Sequence, residues 1–141
     1  MAQNVSTASW EHCLHVLQAL LPSARTLGMD EIHKAAERSG RPIKWTQASG
    51  WELLPDAEIL RLVRGSDIIG GLGDAILLPA LCFYGRHLPF EVPCRDLEDF
   101  VKGFEENYGE AFFNGDTYIL TPTMGTLYLF QHDGFYGKLT S

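Results

Sequence analysis

Three short apolar runs close this chain, and they limit its fold more than any other stretch. They lie between Phe112 and Leu139. Thr117-Tyr118-Ile119-Leu120 is β-branched and aromatic. Thr126-Leu127-Tyr128-Leu129-Phe130 follows after Pro122 and Gly125, and Phe135-Tyr136-Gly137-Lys138-Leu139 follows after Asp133-Gly134. Runs of this length bounded by Gly, Pro and Asp read as strands joined by hairpins. A three-stranded meander is marginal in water without a packed face, so the rest of the chain must cover one of its faces.

The preceding residues supply helices. Ser9 is a candidate N-cap for a helix in which Trp10, Leu14, Leu17 and Leu21 fall at helical spacing, widened by Cys13, Val16 and Leu20, with Pro22 as its stop. The pattern predicts a second helix from a cap at Asp30 to Ser39-Gly40. Arg41 to Gly50 is a connector, and Pro55 opens a third helix in its first turn, closed by Gly65. Ser66 to Gly73 reads as a short strand and turn. Ala75 to Tyr84 reads as a buried strand broken or bulged at Pro79. After a turn at Gly85 to Pro89 comes a short strand through Phe90 and Val92. Asp96 is then the expected cap of a fourth helix, Leu97 to Asn107, with Leu97, Phe100, Val101 and Phe104 on one side. Helices first and sheet later make one α+β domain over residues 1–141: N-terminal helices on a mainly antiparallel sheet that ends in the meander.

At 141 residues the chain is long enough for a genuine core, and 45% hydrophobic with 21% charged residues is ordinary globular composition. The formal charge of −7 argues against nucleic acid or an anionic membrane as partner and suits a basic protein. Met1 to Thr7 lacks the basic and apolar regions of a secretory signal, and no run is long enough to span a bilayer. Cys13, Cys82 and Cys94 form no CxxC pair and read as reduced thiols, so the expectation is a cytoplasmic protein.

Several residue groups invite a chemical reading. Gly70-Gly71-Leu72-Gly73 looks like a phosphate-cradling loop, but strand residues follow it where a helix N-terminus would be needed, so a glycine turn fits better. His12 and His15 stand three apart on a helix, as two metal ligands would, without a third. Cys94, His132 and Asp133 form a nucleophile set on paper. Adjacent His and Asp side chains, however, point apart on a strand and cannot orient one another. Glu105, Glu106, Glu110 and Asp116 bracket the junction of the fourth helix and the meander. They read as a solvated face, as a carboxylate pair for hydrolysis or a small-ligand site, or as a rim that receives a basic partner with Tyr108, Phe112, Phe113 and Tyr118 interleaved. No cofactor motif is present.

The stretch from Leu97 to Tyr136 resembles the small acidic immunity proteins that bacteria make against polymorphic toxins of contact-dependent or type VI secretion systems. The likeness lies in Leu97-Glu98-Asp99-Phe100-Val101 through Tyr108-Gly109, in Phe113-Asn114-Gly115-Asp116, and in Leu129-Phe130-Gln131-His132-Asp133-Gly134. The resemblance implies a cytosolic, non-catalytic protein that binds and neutralises a cognate toxin by occluding it. On that reading Glu105, Glu106, Glu110 and Asp116, with the His132-Asp133 turn, carry the contact. The alternatives are a small hydrolytic enzyme with a carboxylate or Cys/His site, and an adaptor domain without a ligand.

Overall fold

The computed structural model of the chain describes residues 5–64 and 72–140. In chain order the elements are β1 (Ser6–Thr7), α1 (Trp10–Leu20), α2 (Met29–Arg38), β2 (Thr46–Gln47), α3 (Asp56–Arg64), β3 (Asp74–Leu78), α4 (Ala80–Phe83), β4 (Phe90–Pro93), α5 (Leu97–Tyr108), β5 (Thr117–Thr121), β6 (Thr126–Phe130) and β7 (Phe135–Thr140). The strands form one antiparallel sheet in the order β1-β4-β3-β5-β6-β7-β2. The fold is α+β, and β5, β6 and β7 make the expected meander.

The meander is the centre of a wider sheet. Every residue of β5 and β6 is buried, because helices cover both faces of the sheet where the sequence demanded cover for one. Side-chain alternation divides these strands between two cores. Ile119, Tyr128 and Phe130 face α3 and α5 together with Leu77, Phe90 and Val92. Tyr118, Leu120, Leu127 and Leu129 face α1 and α2 together with Ile76 and Leu78. A strand buried on both sides has no polar alternate positions, which is why these runs read as continuously apolar.

The helix-first order is also revised. Two-residue strands drawn from the N-terminal half, β1 and β2, close the two edges of the sheet. Such short edges leave little unpaired backbone for another chain to extend.

Locally, Ser9 caps α1 as expected, its hydroxyl accepting from the His12 N–H at 3.0 Å. Asp30 does not cap α2: the cap is Gly28, and Asp30 lies in the first turn, where its charge still favours the helix dipole. Asp96 occupies the cap position of α5 without a side-chain bond, because a 3₁₀ turn over Cys94–Asp96 leads straight into the helix. Pro55 sits just before α3, its carbonyl accepting from Glu58 and Ile59. The largest local revision concerns Ala75 to Tyr84. β3 ends at Leu78, and Pro79 starts the single turn of α4 instead of bulging a strand. Proline suits that place because a helix start has no acceptor for its missing N–H. The expected closure at Gly65 lies outside the described residues, as does the expected strand and turn over Ser66 to Gly73 except for Leu72 and Gly73. No helix among the described residues is long and apolar enough to cross a membrane.

Candidate functional site

The register of the sheet brings four chain segments to one end. Leu78, the last residue of β3, lies opposite Tyr118 near the start of β5, and Tyr118 lies opposite Leu129 near the end of β6. The Pro79 turn and α4, the loop before β5 and the turn after β6 therefore leave the sheet together. The first residues of α2 join them from the aliphatic face.

Each segment is held by identifiable bonds. Gly109 ends α5 with φ 81°, a backbone conformation that L side chains rarely adopt. The loop that follows is tied to α3: the Asp56 carboxylate accepts from the N–H groups of Phe112 at 2.7 Å and Phe113 at 3.3 Å. The Thr117 hydroxyl donates to the Gly115 carbonyl at 2.8 Å. A Cβ on Gly115 would stand 3.1 Å from that of Ala80, so the missing side chain lets this loop approach α4 closely. The β6–β7 turn is closed by the Gly134 N–H donating to Gln131 O and the Gln131 N–H donating to Phe135 O.

Between these segments lies a cleft of about 360 Å³. One wall is apolar: Met29, Ala80, Phe83 and Tyr84. The other is polar: Asn114, Asp116, Tyr118 and His132. Asp116 and His132 form its central pair. One carboxylate oxygen, Oδ1, accepts from the His132 backbone N–H at 2.9 Å and from its ring Nδ1 at 3.1 Å. A carboxylate only accepts, so Nδ1 carries the proton and Nε2 is the nitrogen that titrates. The hydrogen bond to Asp116, and then its charge, hold the His132 pKa above the usual 6.5. Burial, and secondarily the charge of Asp116, push the Tyr118 hydroxyl far up, so it remains protonated.

Of the residues named from the sequence, Asp116 and His132 are brought into direct contact. Glu110 flanks them, bonded to Arg86 at 3.3 Å and to the Asn114 side-chain amide at 3.2 Å. Glu105 and Glu106 lie exposed on the last turns of α5 and do not line the cleft. Asp133 is exposed in the turn and acts on His132 only as a nearby charge; the imidazole's partner is Asp116. Of the aromatic residues interleaved with these acids, Phe112, Phe113 and Tyr118 belong to the core, while Tyr108 remains 37% exposed.

The Cys94–His132–Asp133 set does not assemble. Pro93 is paired with Asp74 at the beginning of β3, whereas His132 lies beyond its opposite end, so the sheet separates Cys94 from His132 by its full strand length. Cys94 is buried, and burial raises its pKa. Burial likewise pushes Cys13 up to about 11 and Cys82 up to about 12, so these thiols stay protonated near neutrality. His12 and His15 lie on the exposed side of α1, and no group of three or more potential ligands for a metal occurs among the described residues. Leu72 and Gly73, the described part of the glycine loop, precede β3 directly. Gly73 O accepts from the Cys94 N–H, which is a structural use of that turn.

Sequence reasoning missed the apolar wall. The buried strand expected over Ala75 to Tyr84 includes Phe83 and Tyr84, yet they are 38% and 67% exposed. The overlooked signal was Pro79, which can start a helix as readily as it breaks a strand. Asp56 gave no local signal, because its partners lie 56 and 57 residues away.

No protein family, curated protein or solved structure matches this chain. The site must be read from its own chemistry. It presents aromatic surface, one carboxylate paired with an imidazole, and an acidic surround. The residues lining the cleft include a single carboxylate and no serine, threonine or cysteine.

Proposed function

We propose that this chain is a binding protein of the immunity type, one that occludes a basic toxin protein in the bacterial cytoplasm and carries out no chemistry of its own. The observation that supports this reading is the composition of the sheet end around the cleft. Phe83, Tyr84, Leu88 and Tyr108 are all at least 37% exposed there. Two groups of contacts organise this end: Tyr84 carries the Arg86 guanidinium over its ring at 5.5 Å and Arg86 reaches Glu110, while Tyr108 packs on His87 and Phe90. Asp116 lines the cleft and Glu110 holds Arg86, while Glu105 and Glu106 on the last turns of α5 and Asp133 in the β6–β7 turn add exposed negative charge to the segments that meet at this end. Large aromatic anchors within a charged rim are the composition of a protein-binding patch, and complementary charge speeds encounter with a basic partner.

The test is genetic and kinetic. The chain should protect cells against the toxin domain encoded beside it and should co-purify with that domain. Charge reversal at Glu105 and Glu106 should slow association, most strongly at low salt, while leaving dissociation and stability nearly unchanged. These two acids suit the test because, unlike Asp116, they hold no part of the cleft together. An unchanged association rate would assign the contact to another surface. Absence of both protection and co-purification would remove the reading itself.

A further inference from the structure

We propose that the cleft between α4, the loop before β5 and the β6–β7 turn receives one arginine side chain of the protein partner, an inference that rests on the binding reading above. The cleft's two walls suit a guanidinium, which is flat, weakly hydrated and rich in N–H donors. The exposed rings of Phe83 and Tyr84 offer a surface on which such a plane can stack. Across from them is a carboxylate with accepting capacity to spare: both His132 bonds fall on Asp116 Oδ1, and neither engages Oδ2. Asn114 uses its Nδ2 toward Glu110, leaving its carbonyl oxygen as a second acceptor. At about 360 Å³ the space suits one side chain; it lies near the lower limit of small-molecule sites, roughly 300–1,000 Å³.

The chain already makes this contact once with its own residues. Arg86 lies over Tyr84 and reaches Glu110, yet it is not among the residues lining the cleft. Three features work against a cation: the Arg86 guanidinium already lies over the Tyr84 ring, the His132 imidazole on the polar wall is positive when protonated, and Gly28 and Met29 bring the positive end of α2 to the rim. Asp30 and Glu31 in the first turn of that helix offset the last of these.

The experiment titrates the ¹⁵N-labelled chain with Nα-acetyl-L-arginine methylamide. Parallel titrations use the citrulline compound, of similar shape but neutral, and the glutamate compound. The arginine compound alone should shift the amide signals of Tyr84, Asn114, Asp116 and His132. Asp116→Asn should weaken its binding about tenfold, as expected for loss of one charged hydrogen bond. Tyr84→Ala should weaken it about threefold through loss of the cation–π contact. Tyr84 is 67% exposed, so this second variant keeps the test valid if Asp116→Asn loosens the turn. Equal binding of the citrulline compound, binding of the glutamate compound alone, or shifts confined to other surfaces would overturn the proposal. A chain that protects against its toxin while the arginine titration is silent leaves the binding reading standing without this cleft. Arginine binding without any neutralised toxin retains the cleft's chemistry and removes the partner.

Discussion

The two faces of the sheet are packed with different materials. Under α3 and α5 the core is aromatic: Phe90, Phe100, Phe104, Phe112, Phe113, Tyr128 and Phe130 are all buried there. Under α1 and α2 it is built from leucine, isoleucine and alanine, and Tyr118 is its one fully buried ring. The aromatic face forms a chain of tilted and edge-on contacts. Phe104 meets Phe112 at 5.2 Å, Phe112 meets Phe113 at 5.0 Å, and Phe113 meets Phe130 at 5.1 Å. These separations and angles suit ring quadrupoles. That chain reaches the surface, since Tyr108 packs on Phe104 at 4.8 Å and on Phe90 at 5.0 Å. The aliphatic face ends at Tyr118 and Phe83, whose rings meet at 5.1 Å beside the cleft. The two cores therefore meet the candidate surface differently: the aromatic core continues into it, while the aliphatic core stops at a single ring beneath it.

Core truncation tests this difference most severely. Phe104→Ala should cost about 3–5 kcal/mol and Leu17→Ala about 2–5 kcal/mol, both measured by denaturant unfolding. Phe104→Ala should also move the ring signals of Tyr108 and His87, whereas Leu17→Ala should leave them in place. Equal disturbance of those signals by both variants would break the comparison.

Glycines on β7 and in the turn before it give a second test. A Cβ on Gly134, which has φ 91°, would stand 2.4 Å from the Trp51 ring on the aromatic face. A Cβ on Gly137 would stand 2.6 Å from Ile43 Cγ2 and 3.0 Å from the Lys44 carbonyl on the other face. Each alanine variant should lose roughly 1–3 kcal/mol through overpacking or backbone strain. Only Gly134→Ala should shift the fluorescence of Trp51 strongly, and single-tryptophan variants can isolate that signal.

Asp56→Ala removes the acceptor for two backbone N–H groups at the junction of α3 and the loop before β5. A loss of roughly 1–3 kcal/mol is expected, with faster amide exchange at Phe112 and Phe113. An unchanged exchange rate would show that the aromatic core alone holds the loop.

The smallest effect belongs to the Asp116–His132 pair, because the imidazole is exposed. His132 has a folded-state pKa raised above its unfolded value of 6.5. Its contribution to stability is thus fully present below pH 6.5 and fades as pH rises through the raised folded value. NMR titration should place His132 above 6.5, and Asp116→Asn should bring it back down.

The strand positions of the meander could be read directly from the chain, because β-branched and aromatic runs between glycine and proline turns have few other stable conformations. The apolar side of α5 was equally plain, and Ser9 announced a cap that needs only its own helix. These are local matters, decided within a few residues by backbone sterics and side-chain periodicity. Glu110, Asp116 and His132 could be named as charged turn residues, but their grouping could not be seen. The pairing of Asp116 with His132, instead of His132 with its neighbour Asp133, depends on antiparallel register across β5 and β6. The separation of Cys94 from His132 depends on the same register carried on through β3 and β4. The exposed aromatic wall depended on how Pro79 resolved: a strand would have buried Phe83 and Tyr84, whereas one turn of helix brings them to the cleft. A lone proline permits both outcomes. Packing of Leu81 and Cys82 into the aromatic core, and of Phe83 against Tyr118, accompanies the helical one.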